Sequence, residues 1–302
     1  MSSKGSDSNN RITRILGCII ILLSLPGLYF NISVFRHFLS IEKTSFYILC
    51  MSKTISNSFI LLVNLLYNAP CAILYTIIGS DSLNRYLSQA ILTGVYLMGP
   101  LTQTLVSFNR FLVVYLSPTK SHSYSNRVTV AILAVFWSFS IFFSILPGLP
   151  ESCRVKLTLD PLGWTTDYCN IGYAFYFFQY FLHLIISLGV ISNFLNLLVV
   201  IKLALSACKA KSLSSESSRR RHKTTVRLFI QSCIQDWIYV FDMINGIWLA
   251  QVLTGNLLIL ETGMYMAIQG VDGLVMYMFH HKSEKRKVST VTVTPKLSRT
   301  QL

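Results

Sequence analysis

The chain reads as an all-α membrane protein: a seven-transmembrane helix bundle with its N-terminus outside and its C-terminus cytoplasmic. Three observations predict this. Of 302 residues, 52% are hydrophobic and 13% charged, a balance that removes a soluble globular domain from consideration. Seven apolar stretches follow one another, each able to supply the roughly 20 residues that cross a bilayer core. The basic residues flank those stretches unevenly, which sets an orientation.

The spacing of polar and apolar residues predicts spans near residues 15–36, 46–70, 88–115, 128–149, 172–203, 226–250 and 256–279. The first follows a basic start, as a secretory signal does. Ile15 to Phe35 is too long for a signal core and lacks a small-residue cleavage site, so it is expected to be a retained helix. Residues 1–14 then form an outer N-terminus, 15–279 the seven-helix domain, and 280–302 a disordered cytoplasmic tail rich in Ser, Thr and basic residues. In the third span Gly99-Pro100 is a candidate mid-membrane kink. The fifth span is long enough, roughly 45 Å at 1.5 Å per residue, to project beyond the bilayer.

Orientation follows from the 26 Lys and Arg residues. With the N-terminus outside, Arg36 and Lys43 fall in the first inner loop and Arg110, Lys120 and Arg127 in the second. Eight more lie between Lys202 and Arg227, and six from Lys282 to Arg299. Outside remain Lys4, Arg11, Arg14, Arg85, Arg154 and Lys156, with Lys53 inside the membrane. The formal charge of +14 is therefore mostly a cytoplasmic property. Nucleic-acid binding explains it poorly, because the basic residues flank spans instead of forming a soluble domain. The long inner loop, Ala207 to Thr225, sets five serines beside Arg219-Arg220-Arg221-His222-Lys223. Its phosphorylation, or that of the tail, would reverse local charge and recruit or expel a partner. A solvated connector anchored to membrane lipid predicts the same composition.

Of the seven cysteines, Cys153 and Cys169 fall in the second outer loop, around Gly163 and Trp164. A disulfide between them would brace a lid over the bundle; the competing bond runs from one of them to Cys71. The match Asn31-Ile32-Ser33 to a glycosylation sequon lies inside the first span, where no glycosylation is expected.

Polar residues inside the membrane cost free energy unless paired or facing a cavity, so they carry the clues to mechanism. Lys53 lies about seven residues from the inner end of the second span and Asp272 about as far from the inner end of the seventh. At roughly 10 Å depth on both helices, these opposite charges suggest an ion pair. Gln231 and Gln235 share a face of the sixth span one turn apart, next to Asp236. Interhelical hydrogen bonding is the ordinary reading of such amides and a switching role the sharper one. Asn31 and Asn57 complete the intramembrane polar set. Farther out on the sixth span stand Asp242, Asn245 and Trp248, near the aromatic face of Tyr173, Tyr176, Phe177, Tyr180 and His183 on the fifth. With Tyr96 and Tyr265 they make a candidate outward-facing ligand pocket, although an interfacial aromatic belt predicts much of the same composition.

These residues resemble the rhodopsin-like G-protein-coupled receptors, and more closely the nematode chemoreceptors called serpentine receptor class X. The resemblance spans nearly all seven helices. It rests on Asn31-Ile32-Ser33-Val34, Cys50-Met51-Ser52-Lys53-Thr54-Ile55-Ser56-Asn57, Asn109-Arg110-Phe111, Gln231-Ser232-Cys233-Ile234-Gln235-Asp236 and Asp272-Gly273, in that order. Trp137 with Pro147 ten residues on is similar to the fourth helix of the wider superfamily.

The resemblance implies that Arg110 takes the part of the arginine in the Asp-Arg-Tyr motif, held inside at rest and released to meet a G-protein α-subunit. Asn109 carries no charge to clamp it, so the resting lock must be weaker or made elsewhere. Lys53 stands where the superfamily usually has a sodium-binding aspartate, and helices five to seven contain no proline for the usual kinked switch. The third-helix cysteine that commonly anchors the outer loop is absent, which favours Cys153 with Cys169. The implied function is a chemoreceptor for an external small molecule or peptide, activating a heterotrimeric G protein through the inner ends of helices 3, 5 and 6. Kinases and arrestin-like proteins are further implied partners at the inner loop and tail, and the plasma membrane, with a sensory cilium of a chemosensory neuron as the finer location, is the implied setting. No cofactor is expected. An enzyme is not expected either: His183 is a lone histidine, His280-His281 read as interfacial, and the seventh helix has no lysine for a retinal Schiff base. The rivals are a transporter or ligand-gated channel with Lys53, Asp236 and Asp272 lining its path, and a receptor that binds without signalling.

Overall fold

The computed structural model describes residues 3–115, 125–145, 154–166, 172–210, 226–227, 229–242, 244 and 258–291. Among these residues the chain forms seven helices and one hairpin. The helices are α1 (Ser3–Ser40), α2 (Ser45–Leu74), α3 (Asp81–Tyr115), α4 (Ser125–Ile145), α5 (Gly172–Ala210), α6 (within 226–244) and α7 (Leu258–Val291). Strands β1 (Val155–Leu159) and β2 (Leu162–Thr166) pair antiparallel between α4 and α5. Helices α1 to α5 each contain an apolar run long enough to cross a membrane.

Hydrocarbon is the solvent of the outer faces. Leu22, Tyr29, Ile141, Val190, Phe194, Trp237 and Phe241 all lie exposed on the bundle's perimeter, an apolar surface that water would not tolerate. Helices α2 and α3 are instead largely internal. Helix α1 packs on α2 and α7, and α3 packs on α2, α4 and α5. Trp137 of α4 donates its indole N–H to Ser52 Oγ of α2 at 3.0 Å.

Local chemistry sets the helix ends. Thr44 caps α2, its hydroxyl accepting from Tyr47 N, and Ser80 caps α3 by accepting from Leu83 N. Tyr75 ends α2 in the left-handed region at φ 54°. Inside α2 one turn widens to π geometry over Asn64–Asn68, just ahead of Pro70, whose ring and missing N–H disturb the preceding turn. In α3 Gly99-Pro100 lies within an α-helical stretch that follows a widened turn at Ala90–Gly94. There the Thr93 hydroxyl takes the Gln89 carbonyl at 2.8 Å and also reaches Phe143 O of α4 at 3.2 Å, so a side chain enters the ladder.

Two segments outside the expected spans are helical. The segment 1–14 is helical from Ser3, and its Thr13 and Asn9 bond Leu159 O and Asp160 of the hairpin. The tail expected to be disordered from residue 280 continues α7 as helix to Val291, because Lys, Glu and Arg there are good helix formers.

The hairpin covers one end of the bundle. Asn84 of α3 serves as an extra edge residue for β1: its Nδ2 donates to Leu157 O and its Oδ1 accepts from Leu157 N, both at 3.0 Å. Gln89 Oε1 accepts from Val155 N at 3.2 Å. Leu157 and Leu162 then sink into a core with Ile60, Tyr67, Ile91 and Tyr265. A second core near the opposite end gathers Val34, Phe38, Phe46, Leu49, Met98, Val106 and Met276.

Candidate functional site

The middle of the bundle holds a polar cluster that joins five helices. Lys53 Nζ of α2 lies 2.9 Å from Asp272 Oδ1 of α7 and donates to Gln103 Oε1 of α3 at 2.7 Å. Its ammonium also sits 4.8 Å from the Tyr239 ring centroid. Asp272 accepts from Gln235 Nε2 of α6 at 2.8 Å and from Asn57 Nδ2 at 2.7 Å. Asn57 also reaches Asn31 Oδ1 of α1 at 3.5 Å, while Asn31 donates to Gly27 O and Gln269 O. Both charges are removed from solvent, so the hydrogen bonds around them are what make the burial tolerable. Gly273 is part of the construction: a Cβ there would lie 2.4 Å from Asn31 Nδ2, so the Asn31 amide fits only against glycine.

A second node ties α6 to α3 and α5. Asp236 accepts from Ser192 Oγ at 2.9 Å, from Ser107 Oγ at 3.5 Å and from Asn196 Nδ2. Gln103, which bonds Lys53, also donates to Ser232 O at 3.2 Å and so links the two nodes. Gly99 lets α6 approach α3, since a Cβ there would meet the Tyr239 hydroxyl at 2.5 Å.

Toward the hairpin, Tyr96 Oη donates to Asp242 Oδ2 at 2.7 Å. The Tyr96 and Tyr265 rings are 5.4 Å apart, Trp164 of β2 meets Tyr265 edge-on at 5.5 Å, and Tyr265 Oη donates to Ile91 O at 2.8 Å. At the opposite end Arg110 is 8% exposed, with its guanidinium 4.8 Å from the Phe46 ring centroid. Its Nε and Nη2 have no hydrogen-bond partner among the described residues. It borders a cavity of about 100 Å³ lined by Phe46, Asn109, Val113, Val114, Val199 and Phe229, drawn from α2, α3, α5 and α6.

The sequence of the bundle settles its family. A model of the serpentine type seven-transmembrane GPCR chemoreceptors called Srx matches residues 21–280. The chain belongs to the Srx family. Among solved structures, squid rhodopsin superposes on this Srx chain with a TM-score of 0.75 at 16% identity, covering 96% of this chain and 89% of the squid protein. At that identity the likeness is one of fold. No curated protein matches by sequence.

The structure brings together the residues read as the Srx chain's intramembrane polar set, with one exception. Gln231 is fully buried, yet neither of its amide atoms has a partner among the described residues. Asn109 and Arg110 share the cavity, but Phe111 turns away and stacks on Tyr115 at 4.5 Å. Of the candidate pocket, Tyr96, Asp242 and Tyr265 meet beneath the hairpin. Tyr180 and His183 do not join them: both are exposed, Tyr180 at 70%, because their face of α5 points out of the bundle. The side chains of Tyr176 and Trp248, like Cys153 and Cys169, lie outside the described residues. Cys71 is free and buried, its sulfur accepting from Ile78 N at 3.3 Å, so the competing disulfide is not formed.

His280 is buried, with its ring 4.8 Å from Phe38 and 5.9 Å from Tyr47, near the adjoining ends of α1 and α2. Gln103, Asn84, Ser192 and Asn196 were missed. Except for Asn84 their signal was present: Gln103, Ser107 and Arg110 recur at helical spacing on α3, as Ser192 and Asn196 do on α5.

Proposed function

We propose that this chain is a signalling chemoreceptor of the plasma membrane. An external small molecule or peptide binds beneath the hairpin, and a heterotrimeric G protein docks at the Arg110 end. The N-terminus and hairpin lie outside and the Arg110 end faces the cytoplasm, in keeping with the distribution of Lys and Arg. The observation that carries this reading is Arg110: a buried guanidinium with unused donors, beside a cavity that α5 and α6 close. Burying such a group without an acceptor is costly, so an arrangement that opens α6 and supplies an acceptor has a free-energy advantage to draw on. Phe229 on α6 is the wall that moves.

The polar nodes make α6 responsive to the hairpin end. Asp242, Gln235 and Asp236 bond α3, α7 and α5 in turn, so a ligand that displaces Tyr96 from Asp242 pulls on the helix that shuts the cavity. Uncharged Asn109 offers no ionic clamp; Phe46 supplies the resting contact instead. The serine-rich loop between α5 and α6 and the basic tail are the segments for kinases and arrestin-like proteins, and a sensory cilium is the proposed site of display. The channel reading gains nothing from the mid-bundle cluster, whose charges and amides bond to one another as a dry interhelical contact does.

The test is G-protein dissociation in cells expressing the chain, challenged with fractionated chemical extracts while membrane current is recorded. Arg110→Ala at unchanged surface level is expected to abolish the response. A response that survives in Arg110→Ala, or a current independent of G protein, would overturn the proposal.

A further inference from the structure

Among the described residues the interior carries three acids on α6 and α7, and two of them are fully served. Asp272 has Lys53, Gln235 and Asn57; Asp236 has Ser192, Ser107 and Asn196. Asp242 differs. It is 7% exposed, and Tyr96 Oη gives it the one hydrogen bond it receives from the described residues. A carboxylate offers about four acceptor positions, so most of its capacity is unused.

No described cation takes up that capacity. Arg85 is committed to Asp81 at 2.6 Å, Arg154 lies 3.8 Å over the Tyr86 ring, and no described Lys or Arg pairs with Asp242. The stretches 146–153, 167–179 and 245–257 contain no Lys or Arg. Among the described residues the carboxyl group is therefore built into a low-dielectric site without a resident counter-charge, an arrangement that favours the arrival of something cationic.

The surroundings fit one kind of arrival. Gln235, Tyr239 and Asp242 follow at helical spacing on the face of α6 that meets the bundle, which puts Asp242 about 10 Å from Gln235 toward the hairpin. The rings of Tyr96, Tyr265 and Trp164 stand in contact beside it. Tyr239 Oη and Trp164 Nε1 are buried without a partner among the described residues. Aromatic faces around one carboxylate attract a positive charge that is weakly hydrated and has an apolar body.

We infer that Asp242, with Tyr96, Tyr239 and Tyr265, is the anchor for an organic cation, an amine or quaternary ammonium bound beneath the hairpin. This rests on the reading of the hairpin end as the ligand end. The ammonium takes the free Asp242 oxygen, the rings take its alkyl groups, and Tyr96 either shares the carboxylate or yields its place.

The experiment uses the purified full chain in lipid nanodiscs and reads thermal unfolding with two probes of one shape: choline and its uncharged carbon isostere, 3,3-dimethylbutan-1-ol. Choline at millimolar concentration is expected to raise Tm by a few degrees while the isostere leaves it unchanged. Asp242→Asn, which keeps the shape and removes the charge, is expected to weaken choline at least about 100-fold. Asp242→Glu restores part of the shift and shows that the site still folds. An equal choline shift in Asp242→Asn, or an isostere shift matching choline's, overturns the cation assignment. A shift from the isostere alone retains a ligand site beneath the hairpin and discards the cation; no shift from either probe discards the site. Signalling is judged separately, by the Arg110→Ala comparison.

Discussion

Replacing Asp272 by Ala removes the acceptor on which three donors converge: Lys53 at 2.9 Å, Gln235 at 2.8 Å and Asn57 at 2.7 Å. Lys53 would retain Gln103 Oε1 and the Tyr239 face, neither of which carries a full negative charge. Breaking a buried pair from one side costs about 3–5 kcal/mol, whereas replacing both partners by apolar groups is often neutral. At roughly 2–4 °C per kcal/mol for a chain of this size, Asp272→Ala should lower Tm by about 6 °C or more. Lys53→Met with Asp272→Leu should recover most of that loss, and the swap Lys53→Asp with Asp272→Lys should restore surface expression missing in either single variant. The assay is a double-mutant cycle on thermal unfolding of the nanodisc-embedded chain, with surface labelling in cells. If the single losses simply add in the double variants, the two side chains do not act as a pair and the reasoning fails.

Two shorter predictions follow from close contacts. Gly273→Ala puts a methyl 2.4 Å from Asn31 Nδ2 and must push that amide off Gly27 O and Gln269 O; a loss of about 1–3 kcal/mol is expected, and an unchanged Tm would count against the contact. Asn84→Ala strips both groups from the Leu157 backbone, so Leu157 N–H exchange should quicken about 10- to 100-fold by mass spectrometry while the Arg110 end stays protected; unchanged exchange would mean that the hairpin is held otherwise.

How much of this was legible depends on the kind of information each feature needs. The bundle was, because hydrocarbon thickness acts on composition in long windows. Lys53 and Asp272 could be matched because depth along a helix is a count of residues. Azimuth is not such a count. Tyr180 and His183 were placed with Asp242 on chemistry alone, and α5, apolar almost all round, gave no phase to show that they face outward. The aromatic surroundings of His280 were illegible for the same reason: they come from α1 and α2, far away in sequence. Asn84 escaped because an asparagine near a helix start reads as solvated, and nothing local reveals that it will complete a hairpin edge.

Gln231 offers the sharpest way to ask whether α6 has a second position. It is fully buried one turn from Gln235, and both of its amide atoms lack partners among the described residues. An unsatisfied buried amide costs about 1–3 kcal/mol, and a side chain of similar size without polar atoms escapes that cost. Gln231→Leu is therefore expected to raise Tm. If Gln231 finds partners once α6 moves, the same substitution removes stabilisation from the open arrangement. The resting state then gains at both ends of the equilibrium, and each 1.4 kcal/mol lowers the open population about tenfold. Basal G-protein dissociation should fall and more agonist extract should be needed for half-response, at unchanged surface level. A higher Tm with unaltered signalling would mean that Gln231 is equally unpartnered in both arrangements, and α6 would then have to move without rotating this face.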